Sequence, residues 1–110
     1  METINKVELQ GTVGNVRLQE AGDKKVIHFS LVTNRVGRNK DGENIVETCW
    51  HNVEAWEGKN IPDLARIGKG SNVHLFGRIR YTKYVGTDKI ERTGTDIIAS
   101  RLDMVDDDVA

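Results

Sequence analysis

Cysteine and proline are nearly absent: the 110 residues contain one of each, Cys49 and Pro62. A single cysteine excludes an internal disulfide, and with it the stapled scaffold of many small secreted domains. Metal ligands are equally thin. Besides Cys49 there are His28, His51 and His74. Cys49 and His51 would share one face of a strand, but no Cys-x-x-Cys or His-x-x-x-His assembles the three or four ligands that zinc needs. Neither a metal nor a cofactor is expected. No apolar run approaches the roughly 20 residues required to span a bilayer. The start, "METINKVELQG", lacks the apolar stretch of a secretory signal. A reducing cytoplasm is the expected compartment.

Catalytic signatures are missing too. There is no Gly-x-Ser-x-Gly and no phosphate loop. "GKGS" (68–71) resembles a fragment of one but precedes a strand instead of opening a helix, so it reads as a turn. Carboxylates are plentiful, yet no spacing singles out a pair. The chain is not expected to be an enzyme.

Net charge is also small, at −1, but its distribution is uneven. "DMVDDDVA" (103–110) holds four of the 17 acids and no base, leaving 16 basic and 13 acidic residues in the body. The bases cluster. "RVGRNK" contributes Arg35, Arg38 and Lys40, and "RIRYTKYVGTDKIER" contains five bases against Asp88 and Glu91. A polyanion meets the local field, so a near-neutral total is compatible with nucleic-acid binding.

What the sequence does have is alternation of period two. Val7, Leu9 and Val13 alternate through "NKVELQGTV", "VIHFSLVTNR" (26–35) is rich in β-branched residues, and "IVETCWHNVEAW" (45–56) follows a polar loop containing Asp-Gly. These read as three strands, the last two joined as a hairpin. Pro62 followed by Leu64, Ala65, Ile67 and two glycines predicts one short helix. "SNVHLFGRIRYTKY" (71–84) and "IERTGTDIIASRLDMV" (90–105) complete five strands, with Gly77 and Gly94 as breaks at which a bulge or barrel corner is expected. Five antiparallel strands with a short helix between the third and fourth fit a Greek-key OB-fold barrel. Residues 1–105 are expected to form that single domain and 106–110 a short acidic tail.

Trp50 and Trp56 are six residues apart, so they share a strand face with Asn52 and Glu54, while the smaller Val53 and Ala55 take the core side. Two indoles on a polar outer face demand an explanation. Arg78, Arg80 and Tyr84 share one parity of the fourth strand. Arginine beside flat rings suits unpaired nucleotides: every base has a π-face, and stacking contributes about 1–3 kcal/mol per base. Two other readings fit the same residues: a protein-interaction adaptor of OB type, as in primosomes, and an RNA-binding OB domain.

The stretches "NKVELQGTVG", "FSLVTN", "ETCWHNVEAWEG", "IGKGSNVHLFGRIR" and "ERTGTDIIASRLDMV" occur in an order that resembles the bacterial single-stranded DNA-binding (SSB) proteins, over about residues 4–105. The resemblance implies an OB-fold, sequence-tolerant binding of single-stranded DNA in replication, recombination or repair, and a homotetramer. It implies stacking roles for Trp50, Trp56 and Tyr84, and a subunit-interface position for His51. Arg78, Arg80, Arg35, Arg38 and Lys40 are the candidate phosphate contacts. The family often carries another aromatic in the loop between strands two and three, at the position aligned with Gly37; here residues 30–49 contain none. Typical members also continue into a long Gly/Pro/Gln-rich segment with an acidic tip that recruits replication and repair enzymes. "DDDVA" follows the fifth strand without such a segment, so recruitment through it is not expected.

Overall fold

The computed structural model describes residues 1–105; the expected acidic tail, 106–110, lies outside them. Five strands form, β1 (Val7–Ala21), β2 (Lys24–Arg38), β3 (Asn44–Trp56), β4 (Asn72–Val85) and β5 (Glu91–Met104). They close into a barrel in the order β1-β2-β3-β5-β4. Every neighbouring pair is antiparallel except β3 and β5, which run parallel through Val53↔Ile97 and Glu54↔Ile98. The expectation of a wholly antiparallel barrel needs this amendment for a geometric reason. An odd number of strands cannot alternate in direction around a closed ring, so one pair must match.

The alternation read from the sequence places the core. Ile27, Phe29 and Leu31 of β2 point inward with Val53 and Ala55 of β3, Val73 and Leu75 of β4, and Ile97, Ala99 and Leu102 of β5. The step from Ala99 to Leu102 breaks the two-residue period. A bulge causes it: Phe76 faces Arg101 and Gly77 faces Ala99, leaving Ser100 unpaired. Gly77 is required there, because a Cβ would lie 2.2 Å from the carbonyl oxygen of Ile98. A second shift, between Val13 and Val16, leaves Gly14 and Asn15 unpaired in β1. The Asn15 amide donates to Ser30 Oγ at 2.9 Å.

The predicted helix contracts to one 3₁₀ turn, Leu64–Arg66. Asp63 caps it by accepting from the Ala65 amide at 3.1 Å, and Ile67 is already extended. Three residues suffice because the segment's task is to close one end of the barrel. Leu64 and Ile67 both drop into the core from this turn.

Beyond the barrel two hairpins continue as two-stranded arms. β1 pairs with β2 only as far as Val32, whereas the β2–β3 ladder runs on to Arg38↔Asn44. Its tip contains Asp41-Gly42 as the sequence predicts, with Gly42 at φ +78° and Asn39 Oδ1 accepting from the amides of Asp41 and Glu43. The β4–β5 arm runs out to Val85↔Glu91.

Candidate nucleic-acid interface

β3 carries the two indoles outward, as its alternation predicts. Trp50 stands opposite Val32 and is 63% exposed; Trp56 stands opposite Val26 and is 39% exposed. Six residues at roughly 3.3 Å per residue put their backbones about 20 Å apart. Tyr84, on the β4–β5 arm, is 51% exposed. A groove of about 410 Å³ joins Trp50 to Tyr84, with Asn52 and Thr93–Thr95 between them. Strand closure thus brings together rings that are 34 positions apart in sequence.

Glycines support two of these rings, a feature the sequence reading did not identify. The Trp50 ring lies over Gly14 of the β1 bulge, where a Cβ would come within 2.8 Å of Cζ3. Gly94 sits beside Tyr84, with its would-be Cβ 3.6 Å from Cε1. The sequence signal was present in both cases as a glycine inside a strand, but only the register says which aromatic it faces.

The expected cations divide into three situations. Arg78, opposite Ile98, and Arg38, on the side of the β2–β3 arm that continues from Trp50, are exposed. Lys40 lies in the exposed turn at the tip of that arm. Among the described residues none of these three has a carboxylate within ion-pair distance. Arg35 pairs in register with Glu47 and takes the opposite side of the arm, with Cys49 and His51. There it lines a second groove with Glu8, Leu9 and Gln10. His51 is half-buried, and its Nε2 shares a 2.9 Å hydrogen bond with Thr33 Oγ1.

Arg80 is the third situation. Its Nη2 donates to Glu54 Oε1 at 3.2 Å and reaches Asp96 Oδ2 at 3.5 Å. The other Glu54 oxygen, Oε2, accepts from the Trp56 indole N–H at 2.9 Å. His28 Nδ1 lies 3.9 Å from Glu54 Oε1 and adds to the pairing only when protonated. Burial alone would raise the pKa of Glu54. The Trp56 hydrogen bond and the Arg80 guanidinium outweigh it, so the carboxyl lies below its usual range and is ionised at neutral pH. The middle of the face is therefore an ordered polar cluster with an indole attached. Its two acids, Glu54 and Asp96, were not singled out from the sequence, where nothing distinguishes them from other surface carboxylates.

Comparison with known proteins gives the same architecture. The sequence profile described as the single-strand binding protein family matches residues 4–105. The single-stranded DNA-binding protein of Xanthomonas axonopodis pv. citri is 37% identical over 107 residues, covering 93% of this chain and 58% of that protein. Its counterpart in Neisseria meningitidis serogroup A is 35% identical over 108 residues, covering 94% and 60%. The chain thus spans less than two thirds of the length of these relatives. A Plasmodium falciparum SSB solved in complex with ssDNA superposes with a TM-score of 0.78 at 27% identity, covering 96% of this chain and 98% of that one. Wild-type single-stranded DNA-binding protein from Thermus aquaticus shares the fold, with a TM-score of 0.74 at 16% identity.

Proposed function

Since this chain belongs to the single-strand binding protein family, we propose that its outer β2–β3–β5–β4 face binds single-stranded DNA without sequence selectivity. The single observation carrying this reading is the pairing of exposed Trp50 and Tyr84 around one groove, with the exposed arginines Arg78 and Arg38 on the strands beside it. Bases stack on Trp50, Tyr84 and Trp56, and phosphates follow Arg78, Arg38 and Lys40. Stacking tolerates any base, and release of counterions from the phosphates makes the affinity salt-dependent. Arg35, on the far side of the arm, meets only a strand that wraps over the arm's edge. Arg80 already holds two carboxylates, so we assign it no phosphate.

In this reading the protein is a binder, not a catalyst, and protects single strands in the cytoplasm during replication, recombination or repair. We further propose a homotetramer, with His51 and the groove around it at a subunit contact. Residues 7–11 of β1 support this, because they pair with β4 on one side and extend past the β2 ladder on the other. Light scattering at micromolar concentration distinguishes tetramer from monomer.

The deciding experiment is an oligo-dT titration followed by tryptophan fluorescence at two salt concentrations, with a matched RNA oligomer in parallel. Quenching that weakens as salt rises, with a log–log slope of about −0.7 per phosphate neutralised, is the expected result. No change in fluorescence or electrophoretic mobility at low salt refutes the reading. Equal affinity for RNA would remove the assignment to DNA.

A further inference from the structure

An acid at the centre of a surface for a polyanion is a contradiction unless something holds and neutralises it. Glu54 stands on the outer face between Trp50 and Trp56, and its side chain is only 12% exposed. Each oxygen is occupied: one accepts from the Trp56 indole, the other from Arg80. Arg80 in turn is steadied by Asp96 across the β4–β5 ladder, where the two are register partners. Its Nε is buried without an acceptor among the described residues, so there the guanidinium's polar partners are the two carboxylates alone. The chain of contacts runs from β5 through β4 to β3 and ends on an aromatic ring.

We infer that Arg80 is a positioning residue: through Glu54 it fixes the Trp56 indole as a stacking platform, and it offsets one of the two carboxylate charges, Glu54 and Asp96, that would repel the strand. This rests on the proposed binding of single-stranded nucleic acid to the same face. It separates two arginines that the sequence places alike. Arg78, with no carboxylate partner among the described residues, contacts phosphate; Arg80, two residues on, builds the surface that the base meets.

A double-mutant cycle tests it. Arg80→Met leaves the Glu54 carboxylate uncompensated and free to swing away, so its hydrogen bond to the indole is no longer held in one place. Oligo-dT affinity is expected to fall about 5- to 10-fold with the salt slope unchanged, because no phosphate contact is lost. Glu54→Gln keeps a carbonyl acceptor for the Trp56 N–H but removes the charge, so in that background Arg80→Met is expected to cost less than twofold. A direct phosphate contact predicts the opposite. The loss would persist beside Glu54→Gln, and the slope would become shallower by about 0.7. That result overturns the proposal.

A second readout needs no DNA, so failure of the binding reading remains distinguishable from failure of this one. With Trp50→Phe leaving Trp56 as the sole indole, Arg80→Met is expected to lower emission anisotropy and raise acrylamide quenching at least twofold. An unmoved Trp56 signal refutes the positioning role whatever the protein binds. Arg80→Lys, which keeps a charge but loses the planar fork, stands in should Arg80→Met fold poorly, with a smaller change in the same direction.

Discussion

Trp50 offers the sharpest separation of binding from folding, because its ring is mostly solvent-facing yet fixed in place. At 63% exposure it withdraws little apolar area from water, and part of its ring lies over Gly14, where there is no side chain to pack against. Trp50→Ala should therefore change folding stability by only about 0.5 kcal/mol, the usual range for a surface substitution. A core truncation on the same strand, Val53→Ala, removes buried methyls from a residue 2% exposed and should cost at least about 1 kcal/mol. In binding the order reverses. Losing one stacking platform costs about 1–3 kcal/mol, or roughly 5- to 150-fold in Kd, since 1.4 kcal/mol is a factor of ten. Val53→Ala should leave Kd within about twofold where the protein stays folded. The assays are urea unfolding by far-UV circular dichroism and anisotropy of a labelled oligo-dT, which does not depend on the tryptophan removed. Trp50→Phe should recover most of the affinity, because a ring remains. If Trp50→Ala destabilises the fold by 2 kcal/mol or more while Kd holds, on the scale of core truncations, the ring is structural and the stacking argument is wrong.

Gly14→Ala should displace both the Ser30 hydroxyl and the Trp50 ring, since the new Cβ would come within 2.6 Å of Ser30 Oγ and 2.8 Å of the ring; a blue-shifted or weakened emission and a several-fold rise in Kd check this. Gly77→Ala meets backbone, 2.2 Å from the Ile98 carbonyl, and should destabilise the barrel by roughly 1–3 kcal/mol in urea unfolding. The pair Arg38→Ala, Lys40→Ala should lower the magnitude of the salt slope by up to about 1.4, two phosphates' worth, with little change in tryptophan quenching at saturation. For Glu54 the sign follows from its depressed pKa. The carboxylate's contribution is fully present above the ordinary carboxylate range and is lost as pH falls through the lowered value. Protection of Trp56 from acrylamide should thus stay level from neutral pH down to the ordinary carboxylate range and fall only below it. The groups facing Glu54 are Arg80 from β4, itself paired with Asp96 of β5, and the His28 imidazole from β2.

Period-two alternation by itself determined that β3 buries Val53 and Ala55 and shows both tryptophans to solvent, because a strand has only two faces and the smaller apolar residues fill one. Together with the Asp-Gly turn and the in-strand glycine at 77, it also set the strand count, the hairpin and the break in β4. Tertiary structure alone decided what those outward residues meet. Parity places Arg78 and Arg80 side by side, but partners come from other strands, and only barrel closure sets Glu54 and Asp96 against one guanidinium and not the other. Parity does put Arg35 and Arg38, three residues apart, on opposite sides of the arm, but only the register and the packing of β1 set Arg35 beside Glu47 and the groove with Glu8, Leu9 and Gln10. The parallel β3–β5 pair follows from closing a ring of odd strand number. The 3₁₀ turn stops after three residues because the barrel end needs only Leu64 and Ile67. Local pattern encodes which way a side chain points; long-range register, which no short window contains, encodes what it touches.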